Sequence, residues 1–338
     1  MNNGDQNASR RWLWITVKVT VSCSFLFWLS TKISFADAAR QLLQADVPKV
    51  FMAFFLLGVS LALTALRWHF SSTRLISLAV ALRYTWISQF YGLFLPGAAS
   101  ADIAKGVAMT ANRESPSAAT LVMSILLERF AGLGSVVIVG LLAHTLQPFL
   151  FPVSRTLTLA AALVGLVLLV CFPFLLRLAL RPFPHMGRLV RPREIARRLD
   201  GKLWGTSLAL SFAIVATNVT FYWTAYLAAG ADARWIQMAI YTSLDGLAAL
   251  LPVSIAGIGI RDSLAVALFA RGGEGTREVA FAWIVLLMMV GHGLLGFFLQ
   301  YREPRPPQSA GSPASQLSNP THAQLNRERG TKPFDAKT

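Results

Sequence analysis

Apolar residues run in long blocks along this chain, separated by short stretches where arginine, proline and glycine collect. A helix needs about 20 predominantly apolar residues to cross a bilayer core. Six stretches meet that requirement: about Trp12–Ser30, Val47–Leu66, Ala118–Ala143, Leu157–Leu176, Leu203–Ala229 and Val279–Gln300. Two further apolar segments carry polar interruptions. About Ser77–Leu95 contains Arg83 and Gln89, and about Ile236–Leu251 contains Asp245. Each ends at a Leu-Pro pair. The pattern predicts an all-α, polytopic transmembrane helix bundle of six to eight spans over residues 12–301, between a short N-terminus (1–11) and a tail (302–338). That tail is rich in Pro, Ser, Gln and Asn, a composition that predicts disorder.

Composition agrees. Of 338 residues, 54% are hydrophobic and 14% charged, whereas soluble domains carry about 25% charged residues. The formal net charge of +15 would suggest nucleic acid in a soluble protein. Here the bases sit between apolar blocks, which fits cytoplasmic loops and anionic lipid headgroups instead. Cys23 and Cys171 fall inside apolar runs and the five histidines are scattered. No CxxC or HExxH spacing is present, so neither a metal nor another cofactor is expected. "SRRWLW" (Ser9–Trp14) resembles a twin-arginine export signal, but the apolar run behind it is longer than a signal's 7–15 residues. It reads better as a first span anchored by Arg10 and Arg11.

Charge also orients the chain. Eight bases lie between Arg177 and Lys202, opposed only by Glu194 and Asp200, which places this loop in the cytoplasm. Arg10 and Arg11 put the N-terminus there. Arg67, Arg74 and Arg83, read as loop bases after the second span, belong there too. If Ser77–Leu95 crossed fully, the eight-base loop would lie outside. A segment that enters from the cytoplasm and returns keeps it inside, and broken backbone at membrane depth is tolerated where protein or water covers it. For Ile236–Leu251 a dip from the outside and a full hairpin of two crossings both leave the tail inside, so charge does not separate them. The expected location is the cell membrane with both termini cytoplasmic.

The two Leu-Pro stretches are "LPGAASADIAK" (Leu95–Lys105) and "LPVSIAGIGIR" (Leu251–Arg261). Pro96 and Pro252 are 156 positions apart, and that shift also lays the second span on the fifth and the third on the sixth. Halves of about 12–143 and 157–301 would then be inverted repeats, each with one re-entrant or broken segment, an arrangement that places transport sites near the midplane.

Candidate chemistry concentrates at these breaks. Lys105 and Arg261 stand at helix starts, where backbone N–H groups and a cation together suit an anion such as a lipid phosphate. Interfacial anchoring is the bland reading. Asp102 lies one turn before Lys105 and Asp262 follows Arg261. Glu128 and Arg129 fall mid-span, where charges must be paired or wet. They either line a pathway with Asp102 and Lys105 or lock helices together. Asp245 is a proton or headgroup partner, or a mate for Arg261. Pro96, Gly97, Pro252, Ser254, Gly257 and Gly259 shape the breaks. His292 reads as a helix-packing residue between two glycines.

"FYGLFLPGAASADIAKG" (Phe90–Gly106), "LLERFAGL" (Leu126–Leu133) and "LPVSIAGIGIRDS" (Leu251–Ser263) together resemble the lysylphosphatidylglycerol synthase transmembrane-region, or flippase-like, family. In that family's motifs Pro96, Gly97, Asp102 and Lys105 match, with lysine for arginine, and Ser100 replaces a common glycine. Glu128 and Arg129 match the acidic-arginine pair. Pro252, Ser254, Gly257, Gly259 and Arg261 match the third motif, with Asp262 for glutamate. An arginine common in the family's last span is absent. The resemblance implies movement of a phospholipid or polyprenyl-linked lipid between leaflets, with anionic headgroups as ligands and lipid- or glycan-synthesis enzymes or further copies of the chain as partners. No aminoacyl-transferase domain is recognised, so an enzyme is not expected. A membrane transferase acting on a lipid-linked substrate, or a noncatalytic subunit of a synthesis complex, are the alternatives.

Overall fold

The structure is a computed structural model and describes residues 35–72, 74, 76–94, 102, 105, 118–147, 153–179, 201–250, 257–270 and 275–301. The expected first span, Pro96, Gly97, Pro252, Ser254, residues 180–200 and the tail lie outside the described residues.

Nine helices and no strand occur among the described residues: α1 (Phe35–Leu43), α2 (Val47–Ser71), α3 (Leu78–Phe94), α4 (Ala118–Leu146), α5 (Arg155–Ala179), α6 (Gly201–Ala228), α7 (Trp235–Ala248), α8 (Ile260–Phe269) and α9 (Thr276–Tyr301). Five of them, α2, α4, α5, α6 and α9, are long and apolar enough to cross a membrane. On α5, Leu157, Leu163, Val164, Val167 and Phe174 are more than half exposed. Water would penalise such a surface, whereas lipid tails match it.

α2 and α6 form the central pair and run antiparallel. The Asp46 N–H donates to the Ala228 carbonyl at 3.0 Å. Further along, Ser60 bonds Asn218 at 2.6 Å, Arg67 bonds Ser211 at 3.1 Å, and Ser71 meets Ser207 at 3.0 Å. Small hydroxyl residues let the two backbones approach and supply interhelical hydrogen bonds where water is absent. Asp46 caps α2 by accepting the Lys49 N–H at 3.2 Å, satisfying one of the orphan donors of the first turn.

α3 and α7 pack in matching ways. α3 lies antiparallel against α9, with Arg83 donating to the Leu299 carbonyl at 3.2 Å and Gly296 against the Trp86 backbone. α7 lies antiparallel against α4, with Ser243 donating to the Val136 carbonyl at 2.9 Å and Gly140 against Ser243. Gly140 and Gly296 are separated by the same 156 positions as Pro96 and Pro252. With 17 and 14 residues, α3 and α7 are about 25 and 21 Å long, short of the ~30 Å hydrocarbon core. They start at opposite ends of the bundle. α3 starts at the end shared by the close of α2, the start of α6 and the close of α9, the three places flanked by arginine-rich sequence. α7 starts where α6 ends, with Trp235 donating to the Thr220 hydroxyl at 3.2 Å.

The largest buried cluster among the described residues joins α2, α4, α6, α7, α8 and α9 through Leu57, Ala143, Tyr226, Tyr241, Ala265 and Phe281. Within it the Tyr241 hydroxyl donates to the Arg261 carbonyl at 3.5 Å, and Tyr222, packed against the cluster, donates to Asp245 at 2.7 Å.

Candidate functional site

Among the described residues, charged side chains gather in two places inside the bundle, one around Glu128 and one around Arg261. In the first, the Lys105 ammonium lies 3.4 Å from one Glu128 carboxylate oxygen and 3.6 Å from the centroid of the Trp68 ring. Arg67 Nη2 donates to the other Glu128 oxygen at 3.1 Å, while Nη1 donates to Ser211 Oγ. All three charged residues are at most 8% exposed. Arg129 pairs with Asp102 at the edge of this group. Glu128 and Arg129, adjacent in sequence, point to different partners because neighbours on a helix do not share a face.

Among the described residues this arrangement carries one more cation than carboxylate. Arg67 and Lys105 share one carboxylate, and Arg67 Nε has no hydrogen-bond partner among the described residues. A cation at the centre of a membrane helix costs about 2.5–3.5 kcal/mol on insertion scales, so a second cation on one carboxylate calls for an anion. Trp68 offsets part of that cost through its ring face, and its indole N–H is held by Ser124 Oγ at 3.3 Å. Room for the Arg67 guanidinium comes from Gly132, where a Cβ would stand 2.9 Å from Nη1.

The second group centres on Arg261. Its Nε lies 3.5 Å from Asp245 Oδ1, and Asp245 Oδ2 accepts the Tyr222 hydroxyl at 2.7 Å. Nη1 rests 3.2 Å from Met289 Sδ. The guanidinium covers Gly257, where a Cβ would stand 3.0 Å from Nη2 and whose φ of +78° favours glycine. Gly259, at φ +87°, turns the chain into α8, and its N–H donates to Asp262 Oδ2 at 2.7 Å. Asp262 therefore holds the start of its own helix, a capping role.

The structure thus brings Asp102, Lys105, Glu128 and Arg129 together, and separately Asp245, Arg261, Asp262, Gly257 and Gly259. On α6, Ser211 and Tyr222 mark the two groups, about 16 Å apart along the helix axis. Glu128 lies with Asp102 and Lys105, and Asp245 lies with Arg261, in two separate groups. Arg67 corrects an expectation. It is no loop base: α2 continues to Ser71, and Arg67 is buried within it. Arg67, Trp68, Ser211 and Tyr222 are site residues that sequence reasoning missed. The apolar pattern continuing through Trp68 and Phe70 was the available signal for Arg67. His292 packs as expected, stacked on Phe54 at 4.2 Å between ring centroids, with Nε2 3.0 Å from the Phe54 carbonyl.

Compared with known families, residues 15–302 match the family model described as lysylphosphatidylglycerol synthase TM region. No curated protein sequence matches the chain. The matched region contains both charged groups and all five apolar spans, so the chain is a multi-pass membrane protein.

Proposed function

The chain belongs to the lysylphosphatidylglycerol synthase TM-region family, and from that premise we propose that it is a flippase-like translocase of the cell membrane, moving a lipid with an anionic, phosphate-bearing headgroup between leaflets. The observation that carries this reading is the pair Lys105 and Arg261. They stand 156 positions apart, as do the matching glycines of the α3–α9 and α4–α7 contacts. Both cations are buried, each beside a carboxylate, in the two parts of the bundle that short helices enter from opposite ends. The antiparallel α2–α6 pair and the matched packing of α3 and α7 support inverted halves.

In this reading a headgroup phosphate reaches Lys105 and Arg67 from the arginine-rich, cytoplasmic end and Arg261 from the other. Glu128 and Asp245 neutralise the cations when no phosphate is present. Lipid passes without covalent change, and the acyl chains stay in the bilayer along the exposed apolar faces.

Reconstitution of the protein in liposomes tests this. Leaflet exchange of labelled anionic phospholipids and polyprenyl phosphates is followed by quenching from outside. Protein-dependent exchange of at least one phosphate-bearing lipid, with none for a neutral diacylglycerol, is the expected result. Covalent turnover of a lipid-linked substrate without exchange would favour a membrane transferase. No exchange and no turnover by folded protein would favour a noncatalytic subunit of a synthesis complex.

A further inference from the structure

A polar cleft of about 640 Å³ opens at the end of the bundle away from the arginine-rich loops. It lies where α6 ends, α7 and α9 begin and α4 closes, and Tyr226, Asp232, Arg234, Gln237, Arg277 and Glu278 line it. Its size falls in the usual range for small-molecule sites. Neither charged group described above takes part in it.

Glu278 is the unusual member. The residue is 5% exposed. One carboxylate oxygen accepts the Tyr226 hydroxyl at 2.8 Å; the other, Oε2, is buried and has no hydrogen-bond partner among the described residues. A buried carboxylate oxygen left unsatisfied is costly; Glu278 lines the cleft, and a turn of its carboxyl group would bring that oxygen to a ligand there. An acceptor-only group calls for a donor, and an ammonium is the donor that also answers its charge. Arg234 and Arg277 are exposed lining residues of the same cleft, with one exposed carboxylate, Asp232, so a phosphate on the other end of that ligand would meet a net positive charge.

We propose that this cleft binds a zwitterionic phosphoethanolamine-type group, with Glu278 taking the ammonium and Arg234 and Arg277 the phosphate. The cleft sits at the ends of membrane-spanning helices, so the group belongs either to a lipid headgroup or to a free phosphoamine. The proposal does not depend on translocation, and its readout is binding.

Full-length protein is tested in two arms. Glycerophosphoethanolamine is titrated calorimetrically into protein in detergent, with glycerophosphate as the control lacking an ammonium. In parallel, nanodiscs of phosphatidylethanolamine and phosphatidylglycerol are examined by native mass spectrometry for retained lipid. Saturable binding of the free compound, weakened at least tenfold by Glu278→Gln, supports the site and shows that the headgroup suffices. Binding confined to the nanodisc arm, with the same loss, supports it and assigns the lipid. Arg277→Gln changes an exposed lining residue and should weaken binding severalfold, which keeps the test decisive if Glu278→Gln misfolds. The proposal is overturned by no binding in either arm, by equal binding of glycerophosphate, by undiminished binding in folded Glu278→Gln, or by undiminished binding in Arg277→Gln.

Discussion

Arg67 of α2 and Glu128 of α4 meet at 3.1 Å with their side chains 10% and 7% exposed, and Glu128 also holds Lys105. One carboxylate thereby joins two spans to the candidate phosphate site. Removing it leaves two buried cations without their counter-charge. Glu128→Gln is therefore expected to destabilise the protein by about 3–5 kcal/mol, as broken buried pairs do. Arg67→Gln should cost less, because Lys105 still neutralises Glu128. Melting of the two variants in detergent checks the order; equal melting temperatures would remove Glu128 from its central place.

Tyr222 and Asp245 form a second testable contact. The Tyr222 hydroxyl donates to the carboxylate at 2.7 Å and orients it toward Arg261. Tyr222→Phe keeps the ring packed against Tyr241 and Phe281 and removes only the hydroxyl. A hydrogen bond to a charged group contributes about 1.5–3 kcal/mol, so a loss of that size is expected in denaturant titration. In Asp245→Asn the same hydroxyl change should cost less than half as much, and a full double-mutant cycle measures that coupling.

Gly296 should be the least tolerant glycine. A Cβ there would run into the Trp86 carbonyl, which is backbone and cannot rotate away, whereas at Gly140 it would meet only the Ser243 side chain. Gly140→Ala is expected to cost about 1–3 kcal/mol, the usual range for overpacking. Gly296→Ala should separate α3 from α9 and reduce the yield of folded protein more severely. Size-exclusion profiles and melting curves of the two variants decide this.

Asp46 supplies a pH signature outside the spans. Lys49, through its ammonium and its backbone N–H, holds the Asp46 carboxyl below its ordinary 3.8. A carboxyl whose folded value is depressed adds stability above its unfolded value, and that contribution fades as pH falls from about 4 toward the lower folded value. Asp46→Asn keeps a capping side chain but cannot titrate. The wild-type melting temperature should fall more steeply between pH 5 and about pH 3 than that of Asp46→Asn; parallel curves would contradict the cap.

Much of this architecture is legible in the sequence, because a bilayer demands long apolar runs and the arginines mark their ends. Spans at α2, α4, α5, α6 and α9 follow from length and hydropathy alone, and Asp245 and Arg129 announce themselves as charges in apolar surroundings. Partner choice is less legible. Arg67 sits near the end of an apolar run, where a lipid-facing anchor and a buried ligand look alike in one dimension. Only the approach of α2 to α4 and α6, made possible by Gly132 and Ser211, distinguishes them. Asp262 looked like a site charge because it follows Arg261, but the positive φ of Gly259 turns its carboxylate onto the helix start. The two charged groups follow the two Leu-Pro stretches of the sequence, but their separation along the bundle is set by α6, which carries Ser211 and Tyr222 at different heights.

Leaflet exchange of a fluorescent anionic phospholipid in liposomes carrying wild type, Lys105→Met, Arg261→Met or the double variant tests the central claim most directly. Methionine keeps the buried volume and removes the cation. The account predicts at least a tenfold loss of exchange in each single variant, and no further loss in the double, with every protein folded in the bilayer. Wild-type exchange in the folded double variant would contradict it.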